Sequence, residues 1–331
     1  MALKHAVPAF RYSVSLMVVG LGVLASGAGA QSIDRATRLF NEAKYAEAKG
    51  ELVAVQKANE RVATAPYFLG RIAMIGNDQD EAIRQFERAV QLEDANALYH
   101  YWLGSALGEA AKRANVFRAP LLARRVRKEW ERAVELDPNQ VDARIGLVGF
   151  YAQAPSVMGG SMDKARAQAA EIAKRNAMRG AMSRGDLAQY EEKPAAEIAA
   201  YQQATLLAPD SVVAFAALAD ALVRAGKPDE ALAATDEFAR RRPDDPWALY
   251  NTGRISGLTG LQIDRGEAAL KRFLAAPASD ASAPTIALSH YYLGKIAEKR
   301  GAKDVARVQY QTALKINPKS RLSQQALNAL K

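Results

Sequence analysis

A spaced set of small and bulky residues recurs along this 331-residue chain and leaves little choice of architecture. Near the carboxyl end, Gly294, Ala306, Tyr310, Ala313 and Pro318 stand at offsets 0, 12, 16, 19 and 24. The same offsets from Gly70 give Ala82, Phe86, Ala89 and Asp94. From Ala219 they give Ala231, Thr235, Phe238 and Pro243, with Gly226 at the turn. Two antiparallel helices of about a dozen residues pack closely only where side chains are small, which accounts for Gly70 with Ala82 and Gly294 with Ala306. The bulky residue one turn later, Phe86 or Tyr310, fills the space opened beside them. Leu136-Asp137-Pro138 and Ile316-Asn317-Pro318 end second helices, because proline disfavours helical geometry in the residue before it.

These residues resemble the tetratricopeptide repeat (TPR): a small residue in the first helix, an alanine opening the second, an aromatic, a second alanine and a closing proline, on a period of about 34 residues. Looser copies fill the intervals. The first is Ala36, Phe40, Tyr45, Ala48 and Leu52. The third begins Trp102-Leu103-Gly104 and resumes at Trp130, Ala133 and Pro138, with about ten extra residues around 111–122. The fourth runs from Leu147 and Tyr151 to Ala165 and Ala169, with 154–162 as its turn. The fifth ends Tyr201, Ala204 and Pro209 after a first helix near 182–190. The seventh runs from Gly253 to Ala269 and Phe273, with about four extra residues. The resemblance implies an all-α, right-handed α-solenoid of about eight helix pairs over residues 32–318, capped by a helix over 322–330. Its first helices would line the concave side. No strand-like alternation competes with this reading.

Residues 1–30 read as a segment apart from the repeat domain of 31–331. Lys4 and Arg11 give a positive start with no acid, residues 14–25 form an apolar run of secretory length, and Ala28-Gly29-Ala30 supplies small residues before Gln31. This predicts a cleaved signal peptide and a periplasmic protein; an uncleaved anchor is the alternative. Loss of Lys4 and Arg11 takes the net charge from +9 to +7. An exported basic chain points away from nucleic acid, towards acidic proteins, wall polymers or lipid headgroups.

The inventory for catalysis is thin. Cysteine is absent, which excludes disulfides, thiolate metal sites and cysteine nucleophiles. His100 and His290, the two histidines beyond residue 30, have no second histidine at metal-ligand spacing, and no His-Glu-x-x-His, Gly-x-Ser-x-Gly or phosphate-loop motif occurs. Gly159-Gly160-Ser161 follows a helix rather than a strand and reads as a loop between helices. The sequence therefore predicts a non-catalytic scaffold with no cofactor and no metal.

First-helix positions spaced i, i+3, i+4 and i+7 share one face, and in the TPR family that face is where extended peptides lie. On it stand Tyr67 and Arg71 of repeat two, Tyr101 and Trp102 of repeat three, and Trp247, Tyr250, Asn251 and Arg254 of repeat seven. Repeat eight adds Tyr291, Tyr292 and Lys295. Repeats seven and eight carry an aromatic pair followed one turn later by a cation, the composition of interface hot spots. The family's two-carboxylate clamp is matched only in part, by Asn251 and Lys295. The predicted function is capture of a protein or peptide segment, with an acidic segment favoured by the charge. Two further readings stand beside it: docking of a membrane or wall surface through the basic helix Arg124–Arg132, and an enzyme subunit with chemistry in inserted loops at 111–122 or 154–162.

Overall fold

The computed structural model describes residues 27–243, 245–275 and 283–330; residues 1–26 of the signal-like segment lie outside them. Among the described residues there are seventeen α-helices and no strand. The helices are α1 (Gly27–Asn41), α2 (Tyr45–Ala58), α3 (Thr64–Ile75), α4 (Gln79–Leu92), α5 (Ala97–Arg113), α6 (Arg118–Leu136), α7 (Val141–Gln153), α8 (Met162–Arg175) and α9 (Ala177–Tyr190). They continue as α10 (Pro194–Leu207), α11 (Val212–Arg224), α12 (Pro228–Arg241), α13 (Pro246–Thr259), α14 (Ile263–Ala275), α15 (Ala283–Lys299), α16 (Lys303–Ile316) and α17 (Arg321–Ala329). The chain divides into two compact units between Glu191 and Glu192, so α1 to α9 belong to the first and α10 to α17 to the second.

Local chemistry sets the helix starts. Asp78, Asn96, Ser161, Asn176, Ser211, Asp245 and Ser320 each accept a hydrogen bond from a backbone N–H of the first turn, donors that the helix itself leaves unpaired. Pro194, Pro228 and Pro246 occupy first positions, where proline's missing N–H costs nothing.

Packing within pairs follows the small-against-bulky rule. A Cβ on Gly70 would sit 2.8 Å from the Phe86 ring, and one on Gly294 would sit 2.3 Å from the Tyr310 ring. In repeat four Val148 of the first helix and Ala169 of the second belong to one buried cluster. Trp130 lies between two glycines: a Cβ on Gly104 would come within 2.6 Å of its ring and one on Gly146 within 2.8 Å. One indole thereby joins repeat three to repeat four, and its Nε1 donates to the Tyr101 carbonyl at 3.2 Å.

Two expectations are corrected. The extra residues of repeat three do not form a loop; they lengthen α5 to 17 residues and α6 to 19, leaving a turn of only 114–117. Alanine, leucine, lysine and arginine dominate this stretch, and all favour helix. Repeat seven holds no insertion between its helices. Gly266 takes the small position, where a Cβ would meet Ser256 at 2.2 Å, and Leu270 takes the bulky one against Gly253. Ala269 and Phe273 lie one turn further on, and Phe273 packs against Tyr250 with ring centres 5.7 Å apart.

Candidate partner-binding face

The second unit sinks most of its predicted strip into its own core. Trp247 is buried edge-on against Phe238, with ring centres 4.9 Å apart. Tyr250 and Tyr292 are buried against each other, and burial pushes both phenols above their ordinary range. Asn251 is buried too: its Nδ2 donates to Thr235 Oγ1 at 2.8 Å and its Oδ1 accepts from Arg254 Nε at 2.9 Å. Arg254, placed by the sequence on the partner-binding face, is instead 14 % exposed and ion-paired with Asp220 of α11. Burial works against its charge, and Asp220 with the neighbouring phenols restores it and carries the pKa above the usual arginine value. Lys295 pairs with Glu298, whose carboxylate also accepts from Tyr310 Oη at 2.6 Å. Tyr291 stays half-buried on the rings of Tyr292 and Tyr310. Aromatics one turn before a cation here serve packing between repeats, and the cations are already answered.

The first unit differs. Arg71, half-buried on α3, donates from Nη1 to Tyr67 Oη at 2.8 Å. Its guanidinium lies 4.1 Å from the Trp102 ring centre, 5.0 Å from that of Phe40 and 5.8 Å from that of Tyr67. Three helices, α1, α3 and α5, thus bring their aromatics to one cation. Among the described residues no carboxylate comes within ion-pair distance of it. Tyr67 is buried, and burial raises its phenol pKa against the pull of Arg71. Tyr101 and Trp102 are half-buried and pack edge to face at 5.4 Å. Beyond Tyr101 lies an ion pair, Asp142 of α7 with Arg179 of α9. Both charges act on the Tyr101 phenol, although burial contributes most to its raised pKa. Phe40, Asp142 and Arg179 were not singled out in the sequence; Phe40 was visible there only as the bulky residue of the first repeat.

The other sequence candidates are structural. His100 is buried between Glu129, whose Oε2 lies 2.6 Å from Nδ1, and the Asp94 carbonyl, 2.9 Å from Nε2. His290 Nδ1 meets Gln309 at 2.8 Å. On the basic helix, Arg125 pairs with Glu87, Arg132 with Asp94 and Glu135, and Arg127 with Glu131, while Arg124 and Lys128 remain exposed without an acidic partner among the described residues. Arg240, Arg241 and Arg242 all pair with Glu237 or Asp245. Met158 in the α7–α8 turn and Met162 at the start of α8 are half-buried. Among the described residues no group of three or more His, Cys, Asp or Glu is placed to hold a metal ion, and no helix is long and apolar enough to cross a membrane.

Stacked antiparallel pairs, several of them seating a bulky side chain on a glycine, define an α-class helical repeat protein. The tetratricopeptide repeat profile matches residues 33–97, 212–255 and 258–321, just over half of the sequence, and the chain belongs to the tetratricopeptide repeat family. Repeats of this family build surfaces for protein and peptide partners. The fold is similar to that of a tetratricopeptide repeat protein from Parabacteroides merdae ATCC 43184, at 14 % identity and a TM-score of 0.53, over 81 % of this chain and 98 % of that one. A thermophilic TPR protein from Thermus thermophilus matches at 16 % identity and a TM-score of 0.49, over 59 % of this chain and 99 % of that one. No curated protein matches the sequence.

Proposed function

We propose that the chain is a non-catalytic periplasmic scaffold that captures an acidic peptide or protein segment on the first-helix face of its first unit. The observation that carries this reading is Arg71. A guanidinium held over Trp102 and Phe40, bonded to a neutral phenol and matched by no carboxylate among the described residues, is pre-organised to receive an anion from outside. Tyr67 holds it from the buried side, and the half-buried Tyr101 and Trp102 offer rigid contact area, so little side-chain entropy is lost on binding. The strip of repeats seven and eight contributes Tyr291 at most, because its other aromatics are packed and its cations paired.

Binding is tested by fluorescence anisotropy with labelled acidic and basic peptide pools of equal length. The wild-type chain should prefer the acidic pool, and Arg71→Gln should weaken that binding about tenfold or more, the worth of one charge-assisted hydrogen bond. Equal binding by both proteins refutes the site. Export rests on the positive start, the apolar run and the small residues before Gln31. Mass spectrometry of the protein in an osmotic-shock fraction should give a chain starting at Gln31; a full-length chain in the cytoplasmic fraction refutes it.

A further inference from the structure

The hairpin of α5 and α6 is longer than its neighbours on both sides. Beyond Gly104, α5 runs nine residues to Arg113, whereas α3 runs five beyond Gly70. α6 begins eight residues before Val126, whereas α4 begins three before Ala82 and α8 three before Ala165. The surplus of four to five residues projects the hairpin by about 6–8 Å at helical rise. At its apex Asn115 Oδ1 accepts from the backbone N–H groups of Phe117, at 3.1 Å, and Arg118, at 2.9 Å. That cap fixes the turn with its apolar side chains facing water: Val116 is 79 % exposed, Phe117 85 % and Leu121 61 %. The charge along the hairpin's outer part is basic, although acids of neighbouring segments answer some of it. From Ala110 to Lys128 there are seven Lys or Arg and no Asp or Glu. Lys112, Arg113 and Arg118 are exposed at the apex, where Lys112 pairs with Glu109, Arg118 with Asp80, and Arg113 donates to the Gln79 and Asn77 side chains; Arg124 and Lys128 stand behind it exposed and with no acidic partner among the described residues.

We infer that this apex docks the chain on an anionic lipid bilayer. Val116, Phe117 and Leu121 enter the headgroup layer, and the arginines and lysines behind them meet lipid phosphates. Apolar side chains at the very end of a hairpin, with the unanswered cations Arg124 and Lys128 behind them, suit an interface that is apolar within and anionic at its rim. The hollow beside the apex, between Asp78, Asp80, Arg113 and Arg118, is polar and is not lined by Val116, Phe117 or Leu121. The site is separate from the peptide face, since Arg113 lies roughly 16 Å along α5 from Trp102, so either assignment can fail without the other.

The chain has no cysteine, so Phe117→Cys places a polarity-sensitive dye at one position. Leu206→Cys, at a residue 82 % exposed on α10, is the control. With full chains and vesicles of phosphatidylglycerol and phosphatidylethanolamine, the dye at 117 should shift to the blue and the dye at 206 should not. Phosphatidylcholine vesicles or 0.5 M salt should reduce the shift at 117 as screening shortens the reach of the cations. In co-sedimentation, unlabelled Phe117→Asp, whose helical circular dichroism should match wild type, should partition about tenfold less than wild type. An unshifted dye at 117, equal shifts at both positions, or undiminished partition of Phe117→Asp each overturn the inference. So does a dye that shifts only when delipidated envelope protein is added, which would make the apex a protein contact.

Discussion

Gly253→Ala tests the packing register of repeat seven. The new Cβ would lie 2.1, 2.6 and 2.7 Å from Cγ, Cδ1 and Cδ2 of Leu270, where carbon atoms ordinarily rest at about 3.5–4.0 Å. Leu270 is fully buried in a cluster with Tyr250, Tyr292 and Ile296, so it has no open space to turn into and the helices must part. Overpacking of this kind costs about 1–3 kcal/mol. In a circular-dichroism melt that corresponds to a fall of roughly 3–10 °C for a unit of this size. Leu270→Ala alone should cost about 2–5 kcal/mol through the cavity it leaves. The double variant should be more stable than the sum of the two, by about 1–2 kcal/mol, because the methyl at 253 occupies space vacated at 270. Phe273→Ala should give no such relief. Additive losses with Leu270→Ala, or relief from Phe273→Ala instead, would show that the bulky position of this repeat has been misplaced.

His100 gives a pH dependence with a definite sign. Burial opposes its charge, but Glu129 and the Asp94 carbonyl outweigh it and hold the pKa above the ordinary 6.5. A raised folded pKa stabilises the protein below the unfolded value, and the gain disappears as pH rises through the folded one. The urea midpoint of wild type should therefore fall relative to His100→Gln on going upward from about pH 6.5; parallel curves would remove the linkage. Deleting residues 321–331 should expose Tyr310 and Ala306, which share a cluster with Leu327 of the last helix and with Leu330 at its end. A truncated chain as soluble and as heat-stable as the full one would deny α17 its capping role.

The parts of the fold that could be read in sequence were those set by one helix pair. Gly70 with Phe86 and Gly294 with Tyr310 announce their contact at fixed spacing because it is local and needs a specific pair of sizes. Repeat seven misleads for the same reason: Gly266 and Leu270 replace the usual alanine and aromatic, while Ala269 and Phe273 imitate them one turn later. Repeat three misleads because a count of extra residues does not say whether they loop out or extend two helices. The candidate site was harder still. An aromatic pair and a cation on one helix face look alike in repeats two and seven. What separates them is what the adjoining repeat places opposite, which a reading of each helix by itself does not include.

Comparing one position across successive repeats supplies that missing information and yields a sharp test. Arg254 directly follows the small residue of its first helix, and Asp220, its partner, holds the same place 34 residues earlier. Arg71 also follows its small residue, but the equivalent positions beside it are Thr37 in repeat one and Ser105 in repeat three. The same arginine is thus neutralised in one unit and left for an outside anion in the other. Thr37→Asp should recreate in the first unit the pairing seen between Asp220 and Arg254. Thr37 is half-buried on α1, one turn before Phe40, so a carboxylate there starts on the side of α1 that faces Arg71. An internal carboxylate is tethered at high effective concentration, so it should displace an acidic peptide and weaken capture about tenfold or more. Arg71→Gln added to Thr37→Asp should then weaken binding little further, since the cation is already spent. Stability should hold or rise slightly, because a paired, half-buried arginine replaces an unpaired one. Undiminished peptide binding by a folded Thr37→Asp chain would mean that Arg71 is not the anion receptor.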